Sequence, residues 1–225
     1  MVNVAGSLHD SDNSRAVDIH APHQSIPSLK EGLVHLTLIT LGVLIALSFE
    51  GIASWREHRA LVREARANLA SEIRDNIDEL SNRLKNIPNE RHNIDRAHKV
   101  LTTLAQHQQV EGRLELGMVT ADLRDASYST AQLTGAFALM DYDEAKKYAG
   151  VYGRQALYIR VHNEAFQSLS RTMALGDVLA RNETPSTREI EDLRQQLRWA
   201  SASLIADEQI GGALFKDYER VLQER

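Results

Sequence analysis

The sequence predicts an all-α protein: one N-terminal transmembrane helix that continues into an antiparallel bundle of long helices. Three observations predict it. Ala, Leu, Arg, Glu and Gln are plentiful, whereas aromatics make up 5% and glycine and proline are sparse, a helical composition rather than that of a sandwich or barrel. Between Glu31 and Glu50 lie 18 residues, GLVHLTLITLGVLIALSF, without a charge. Beyond them, apolar residues recur in steps of three and four. With 225 residues the chain has room for one domain plus an appendage, and a net charge of −5 gives no global basic field that would point to nucleic acid. The absence of cysteine excludes disulfides, thiolate metal sites and cysteine nucleophiles without choosing a compartment.

Residues 1–28 are polar, with two prolines and no apolar periodicity, and read as a disordered tail. His9, His20 and His23 in it match no closed metal-ligand pattern. Pro27 and Ser28 announce a helix start, with Glu31 as the capping-box partner of Ser28.

Residues 29–55 form the expected transmembrane helix. Its uncharged core, extended through Gly51–Trp55, gives roughly 23 residues and about 35 Å, against a hydrocarbon thickness of roughly 30 Å. Apolar residues cover every face, as suits a helix surrounded by lipid. A buried core helix of this length is uncommon in so small a domain. A signal peptide would need a basic lead and a small-residue cleavage site, where this chain has an acidic lead and Glu50. Thr37 and Thr40 can bond back to the preceding turn, and His35 sits near the boundary. Glu50, Trp55, Arg56 and Arg59 are the expected membrane-interface residues, with Glu50 able to snorkel or to pair with Arg56. Gly42 and Ala46 form a small-xxx-small pair, a candidate face for packing against a second span.

Residues 56–225 read as the helical bundle domain. From Ser54 to Ile87 no breaker occurs, and Leu61, Ala65, Leu69, Ile73, Ile77, Leu80, Leu84 and Ile87 form the stripe of an amphipathic or coiled-coil helix. Glu72, Arg74, Asp75, Asp78 and Glu79 are assigned to its solvated faces. Pro88 is expected to end that helix. A second helix follows with Ile94, Ala97, Leu101 and Leu104 inward, an Asp95–Lys99 pair outside, and His92, His98 and His107 at the surface. The stretch VEGRLELGMVTADLRDASYST reads as looser chain, and AQLTGAFALM as a short apolar helix. Asp141 and Glu144 form a capping box for a long helix running to about Arg181, with Gly150 and Gly153 as weak points. Ser186 and Glu189 make another box, opening a last helix that carries Ile190, Leu193, Leu197, Leu204, Ile205, Ile210, Leu214 and Leu222.

No P-loop, GxGxxG, HExxH, GxSxG or kinase-like motif occurs, and the carboxylates are spread evenly along helix faces. No catalytic residue, metal ligand or cofactor site is assigned. Tyr142, Tyr148, Tyr152, Tyr158 and Phe166 are read as bundle core in preference to a pocket lining.

The segment IHAPHQSIPSLKEGLVHLTLITLGVLIALSFEGIASWREHRALVREARANLASEIRDN, together with TAQLTGAFALMDYDEAKKYAGVYGRQ, resembles a family of uncharacterised bacterial single-span membrane proteins with a GLLIALGLE-like span and a basic exit. Leu29 stands where that family usually carries an aromatic. The resemblance implies a bacterial single-pass protein with a helical domain, and it implies no activity.

Arg15 and Lys30 precede the span, whereas Arg56, Arg59, Arg63 and Arg66 follow it, so the positive-inside rule leans towards a cytoplasmic domain. Glu57 and Glu64 are interleaved, and a periplasmic domain stays open as the alternative. The expected role is a membrane-anchored helical interaction or scaffold protein of the inner membrane. Its expected partners are the lipid bilayer, a second copy joined through the Leu61–Ile87 stripe, and an unidentified protein. The alternative is a sensor binding a small ligand in the bundle near Tyr142–Tyr158, which would need an output element longer than the tail of about 30 residues. An enzyme is the third reading.

Overall fold

The computed structural model describes residues 28–108, 110, 114–180 and 185–223. The expected polar tail, including His9, His20 and His23, lies outside the described residues. The fold is all-α: α1 (Leu29–Ala105), α2 (Ala126–Leu133), a short 3-10 helix (Ala136–Leu139), α3 (Tyr142–Thr172), α4 (Ala174–Ala180) and α5 (Thr187–Gln223). It divides into two compact units between Ile52 and Ala53.

The first unit is the apolar half of α1. Ser28 and Glu31 cap it reciprocally: Ser28 N–H donates to Glu31 Oε2 at 2.9 Å and Glu31 N–H to Ser28 Oγ at 3.3 Å. Thr37, Thr40 and Ser48 donate their hydroxyls to the carbonyls of Leu33, Leu36 and Leu44, so no hydroxyl along this stretch needs water. No residue from Leu29 to Ala60 is buried.

In the second unit α1, α3 and α5 pack around a common interior. Buried positions alternate in steps of three and four: Leu80, Arg83, Ile87, Glu90, Ile94, Ala97 and Leu101 on α1, and Ile190, Leu193, Leu197, Ala200, Leu204, Asp207, Gly211, Leu214 and Tyr218 on α5. Tyr148, Val151, Gln155, Tyr158, His162, Ala165, Leu169 and Thr172 do the same on α3. This spacing keeps one face of each helix turned inward. The pairs Arg154–Asp217, His162–Asp207 and Ser168–Ser203 make α3 and α5 antiparallel. Arg66–Glu144, Glu72–Tyr152 and Asn76–Gln155 rise together, so α1 and α3 run parallel. Parallel neighbours require a crossover. The irregular segment Leu114–Asp125 supplies it, returning from the end of α1 to the level of Glu72.

Several expectations need correction. Pro88 does not end the helix; it lies inside α1. It removes one backbone bond and crowds the preceding turn, at a cost of about 3 kcal/mol. Ile87 and Ile94 are fully buried on either side, and burying such side chains contributes about 1.5–3 kcal/mol each. Arg83 also bonds Glu90 across the proline, so packing prevails over the local breaker. The apolar stripe from Leu61 to Ile87 is spent within the chain: Leu69, Ile73, Leu80 and Ile87 have no exposed surface left for a second copy. Gly135, at φ 74°, divides the expected AQLTGAFALM helix into α2, which begins earlier at Ala126, and the 3-10 helix. Asp141 caps α3 by accepting from Asp143 N–H at 2.9 Å, but Glu144 does not complete a box, because it is engaged by Arg66. The Ser186–Glu189 box forms as expected. The long helix after Asp141 passes through Gly150 and Gly153 and breaks instead at Met173. There Ser170 and Thr172 turn their hydroxyls onto Phe166 and Leu169 carbonyls, in competition with the helix ladder. Ile205, expected inward, is exposed, and its neighbour Leu204 is the buried one.

Candidate functional site

Two regions of the chain stand apart chemically, one in each unit. The first is the exposed apolar half of α1. Gly42 and Ala46 lie on it, both exposed, and a methyl group added at Gly42 would meet nothing within 4 Å. Glu50 is exposed at its end. Beyond it, in the second unit, Trp55, Arg56 and Arg59 are exposed. Trp55 and Arg59 are brought together: the guanidinium carbon lies 4.7 Å above the indole ring, a cation–π pair one turn apart. This stretch is long and apolar enough to cross a membrane, and none of the 18-residue core of that stretch is buried.

The second is a polar layer that splits the bundle core into two apolar clusters. One cluster gathers Leu69, Ile73, Leu80, Tyr148, Tyr152, Tyr158 and Leu214. The other gathers Ile94, Ala97, Leu101, Ala165, Leu169, Leu197 and Leu204. Between them sits Arg83, fully buried, donating from Nε to Asp207 Oδ2 at 2.9 Å and from Nη1 to both oxygens of Glu90 at 2.7 Å. Its Nη2 lies 2.7 Å from Asp207 Oδ2. Burial opposes the charge on Arg83, but its bonds to Glu90 and the field of Asp207 prevail and hold its pKa above the usual value. Burial likewise opposes the Asp207 carboxylate. The hydrogen bond from His162 and the charge of Arg83 outweigh it, and its pKa falls below the ordinary value.

His162 links this layer to the crossover. Its Nδ1 lies 3.1 Å from Asp207 Oδ1, and its Nε2 is 3.2 Å from Ala121 N. An amide N–H can only donate, so Nε2 accepts and the proton belongs on Nδ1, directed at Asp207. The Tyr158 hydroxyl is 3.3 Å from the same Nδ1. Burial pushes the Tyr158 hydroxyl well above its usual pKa, with Asp207 adding to the effect.

Among the described residues the crossover has no partner strand, and side chains do a strand's work. Val119 N–H donates to Glu90 Oε1, Ala121 N–H to His162, and Ser127 N–H to Glu72 Oε2. Asn76 treats Arg124 as a neighbouring strand would: it accepts from Arg124 N–H and donates to Arg124 O, each at 2.8 Å. Gln155 also donates to Arg124 O, while accepting from the Tyr218 hydroxyl at 2.6 Å. The Tyr152 hydroxyl donates to Glu72 Oε1 at 2.6 Å, and burial followed by that bond raises its pKa far above the usual value. Glu72 is therefore no solvated-face residue; it is buried and bonded to the chain on two sides. The other charges assigned to that face, Arg74, Asp75, Asp78 and Glu79, are exposed as expected. Of the histidines assigned to the surface, His92 and His107 are exposed and His98 is half-buried.

Arg83, Glu90, Asn76, Gln155, His162 and Asp207 carried no signal in a reading that followed apolar residues alone. The signal was their position: each falls in the three-and-four register of the buried face of its helix. The crossover had a signal too. Leu114, Leu116 and Met118 are half-buried between exposed neighbours, and so are Ala121 and Leu123, a period of two. Among the aromatics, Tyr148, Tyr152 and Tyr158 are core, while Tyr142 and Phe166 are not. No family model, curated protein or solved structure matches the chain.

Proposed function

We propose that this chain is a bacterial single-span membrane protein whose helical domain serves as an interaction or scaffold module and not as an enzyme. One observation carries the reading: 18 successive uncharged residues of α1 are exposed on all sides, whereas most Leu and Ile side chains described in the second unit are buried or half-buried. Such a surface is stable when lipid covers it. The Trp55–Arg59 pair supports an interface at the exit of the span. The polar layer supports a structural role for the domain's charges. Arg83 and Asp207 have no exposed surface, and the groups around them are already bonded to one another or to the crossover. The domain lies on the cytoplasmic side, following Arg56, Arg59, Arg63 and Arg66. Self-association, with the Leu61–Ile87 stripe spent, falls to Gly42 and Ala46. The sensor reading has less support, because Tyr148, Tyr152 and Tyr158 are buried in the core and the clefts beside Tyr142 and Tyr148 are open to solvent.

Membrane extraction tests the span: the full chain should stay with the membrane pellet at alkaline pH, and release into the supernatant would overturn the reading. Since the chain has no cysteine, Ser7→Cys and Gln223→Cys report topology separately. In intact spheroplasts an impermeant reagent should label Ser7→Cys only. Gly42→Ile should lower self-association of the span in a membrane two-hybrid assay, and an unchanged signal would remove that face.

A further inference from the structure

The crossover Leu114–Asp125 is stretched as a strand is, and its bonds to α1 fix the stretch. Val119 N–H is held by Glu90 and Ser127 N–H by Glu72. Those two carboxylates are 18 residues apart on α1, about 27 Å of helix. Eight residues of chain cover that distance, which takes about 3.4 Å per residue, the rise of a β-strand. Leu116 and Met118 lay their side chains on one core cluster and Ala121 and Leu123 on the other, so the segment is seated along the bundle.

In an extended chain the N–H and C=O of one residue point to the same edge, and those of its neighbours to the opposite one. Val119 and Ala121 direct their N–H groups at Glu90 and His162, into the bundle. Met118, Thr120 and Asp122 therefore direct theirs outward, before Arg124 turns back in to Asn76. Among the described residues, no hydrogen bond reaches the backbone N–H or C=O of Met118, Thr120 or Asp122. This edge is open to solvent: Thr120 and Asp122 are exposed, and the exposed Gly117, lacking a side chain, presents its backbone. A row of unpaired N–H and C=O groups is a template for another extended chain.

Charge selects which extended chain fits. Among the described residues of the crossover, Glu115, Asp122 and Asp125 are exposed against one exposed cation, Arg124. Glu79 of α1 adds to this acidic rim. It lies seven residues past Glu72 and three past Asn76, in the register that faces the crossover, and it is exposed. A second copy would set like charges beside one another, which destabilises paired strands, whereas lysine or arginine at alternate positions is matched. We propose that the outer edge of the crossover binds an extended basic segment of a partner protein by strand addition. Main-chain bonds at Met118, Thr120 and Asp122 supply the affinity, and the acidic rim supplies the selection. Strand addition rests on the reading of the domain as an interaction module, and it lies wholly within the second unit.

Fluorescence anisotropy with the full chain in neutral detergent tests it. The probe is a labelled peptide of alternating lysine and valine, about eight residues long, the length of an ordinary strand. It should bind, and a glutamate–valine counterpart should not. Methylating the central amides of the lysine peptide should weaken binding by at least about tenfold, because several backbone bonds are lost together. Thr120→Pro deletes an outward N–H and spares the inward bonds, as proline does at a strand edge. It should weaken binding by about tenfold and leave thermal unfolding unchanged, and Asp122→Lys should weaken binding by about threefold. The methylated peptide probes the native chain, so the test does not hang on how any variant folds. Equal binding of the methylated and unmethylated peptides would reduce the contact to charge attraction and overturn strand addition, as would full affinity in Thr120→Pro. If the lysine peptide fails to bind and Thr120→Pro lowers the chain's own association, a second copy occupies the edge and the basic partner is overturned. If no peptide binds while Gly42→Ile still lowers self-association, the edge is overturned and the scaffold reading stands. If neither effect is seen, the module reading fails with it.

Discussion

The apolar half of α1 and the layer around Arg83 invert one another. The first exposes Leu, Ile and Val on every side without a charge. The second buries an arginine, two carboxylates and a histidine with scarcely any surface left. Residue polarity alone places neither correctly in a water-soluble frame. The difference between them lies in what surrounds each group. Lipid can cover the apolar helix without asking anything of its backbone, since beyond the capped first turn its amides are bonded within the helix. The buried charges survive because most of the lost hydration is replaced by fixed partners: Arg83 bonds Asp207 and Glu90 through Nε and Nη1, its Nη2 lies beside Asp207 without a hydrogen bond, and Glu90 in turn holds Val119 N–H.

The sharpest way to break that comparison is to remove one partner from the layer. Arg83→Met should destabilise the domain by about 3–5 kcal/mol, because it strands Asp207 and Glu90 as buried carboxylates. Thermal and urea unfolding of the full chain in detergent would read this. The triple variant Arg83→Met, Glu90→Gln, Asp207→Asn removes the charges together while keeping oxygen acceptors for Val119 and His162. It should recover most of the loss. A triple variant no more stable than Arg83→Met would mean that the ion pairs themselves, and not the avoidance of stranded charge, hold the layer.

The difference also explains what was legible in the sequence. The apolar helix needed only length and the absence of charge between Glu31 and Glu50, so it could be read directly. The caps at Ser28 and Ser186 were legible because their partners lie three residues away, whereas Glu144 was lost to Arg66, a partner 78 positions distant. Pro88 misled for the same reason: the local penalty was visible, and the burial of Ile87 and Ile94 against other helices was not. The polar layer was hidden because a charge at a core position looks like a solvated charge until its partners on two other helices are known. His162 and Asp207 are 45 residues apart, and only the fold brings them together.

Acid separates two titrations of opposite origin. The pKa of Asp207 in the folded chain lies below its ordinary value near 3.8. The stability it contributes is therefore complete above that ordinary value and disappears as pH falls through the lower folded value. His98 is shifted down from 6.5, by burial first and then by Arg194 and Arg198, against the pull of Asp95. The unfolded chain then binds more protons there than the folded one, so stability declines as pH drops below about 6.5. Unfolding free energy should thus show a shallow loss beginning near neutrality and a steeper one below about pH 4. His98→Gln should flatten the first and leave the second. If His98→Gln leaves the decline near pH 6 unchanged, another group is responsible for it.

The smallest expected effects come from two adjacent glycines on α5, and their opposite signs test how tightly the layer's edge is packed. A methyl group at Gly211 would lie 3.0 Å from Tyr158 Cε2, 3.2 Å from Leu84 Cδ2 and 3.4 Å from Leu80 Cδ1. Tyr158 is fixed between the Asp207–His162 pair and the core, so its ring cannot swing aside without disturbing the layer. Gly211→Ala should therefore cost about 1–3 kcal/mol through overpacking. At Gly212 nothing lies within 4 Å. Gly212→Ala should gain about 0.5–1 kcal/mol, the ordinary benefit of alanine in a helix. Both variants change helix propensity equally, so the difference between them isolates the close approach of α5 to Tyr158 and Leu84. Equal, small gains at the two sites would show that α5 can move away from α1 and α3 at this level, and that the ion pairs of the layer tolerate a looser interior than their distances imply.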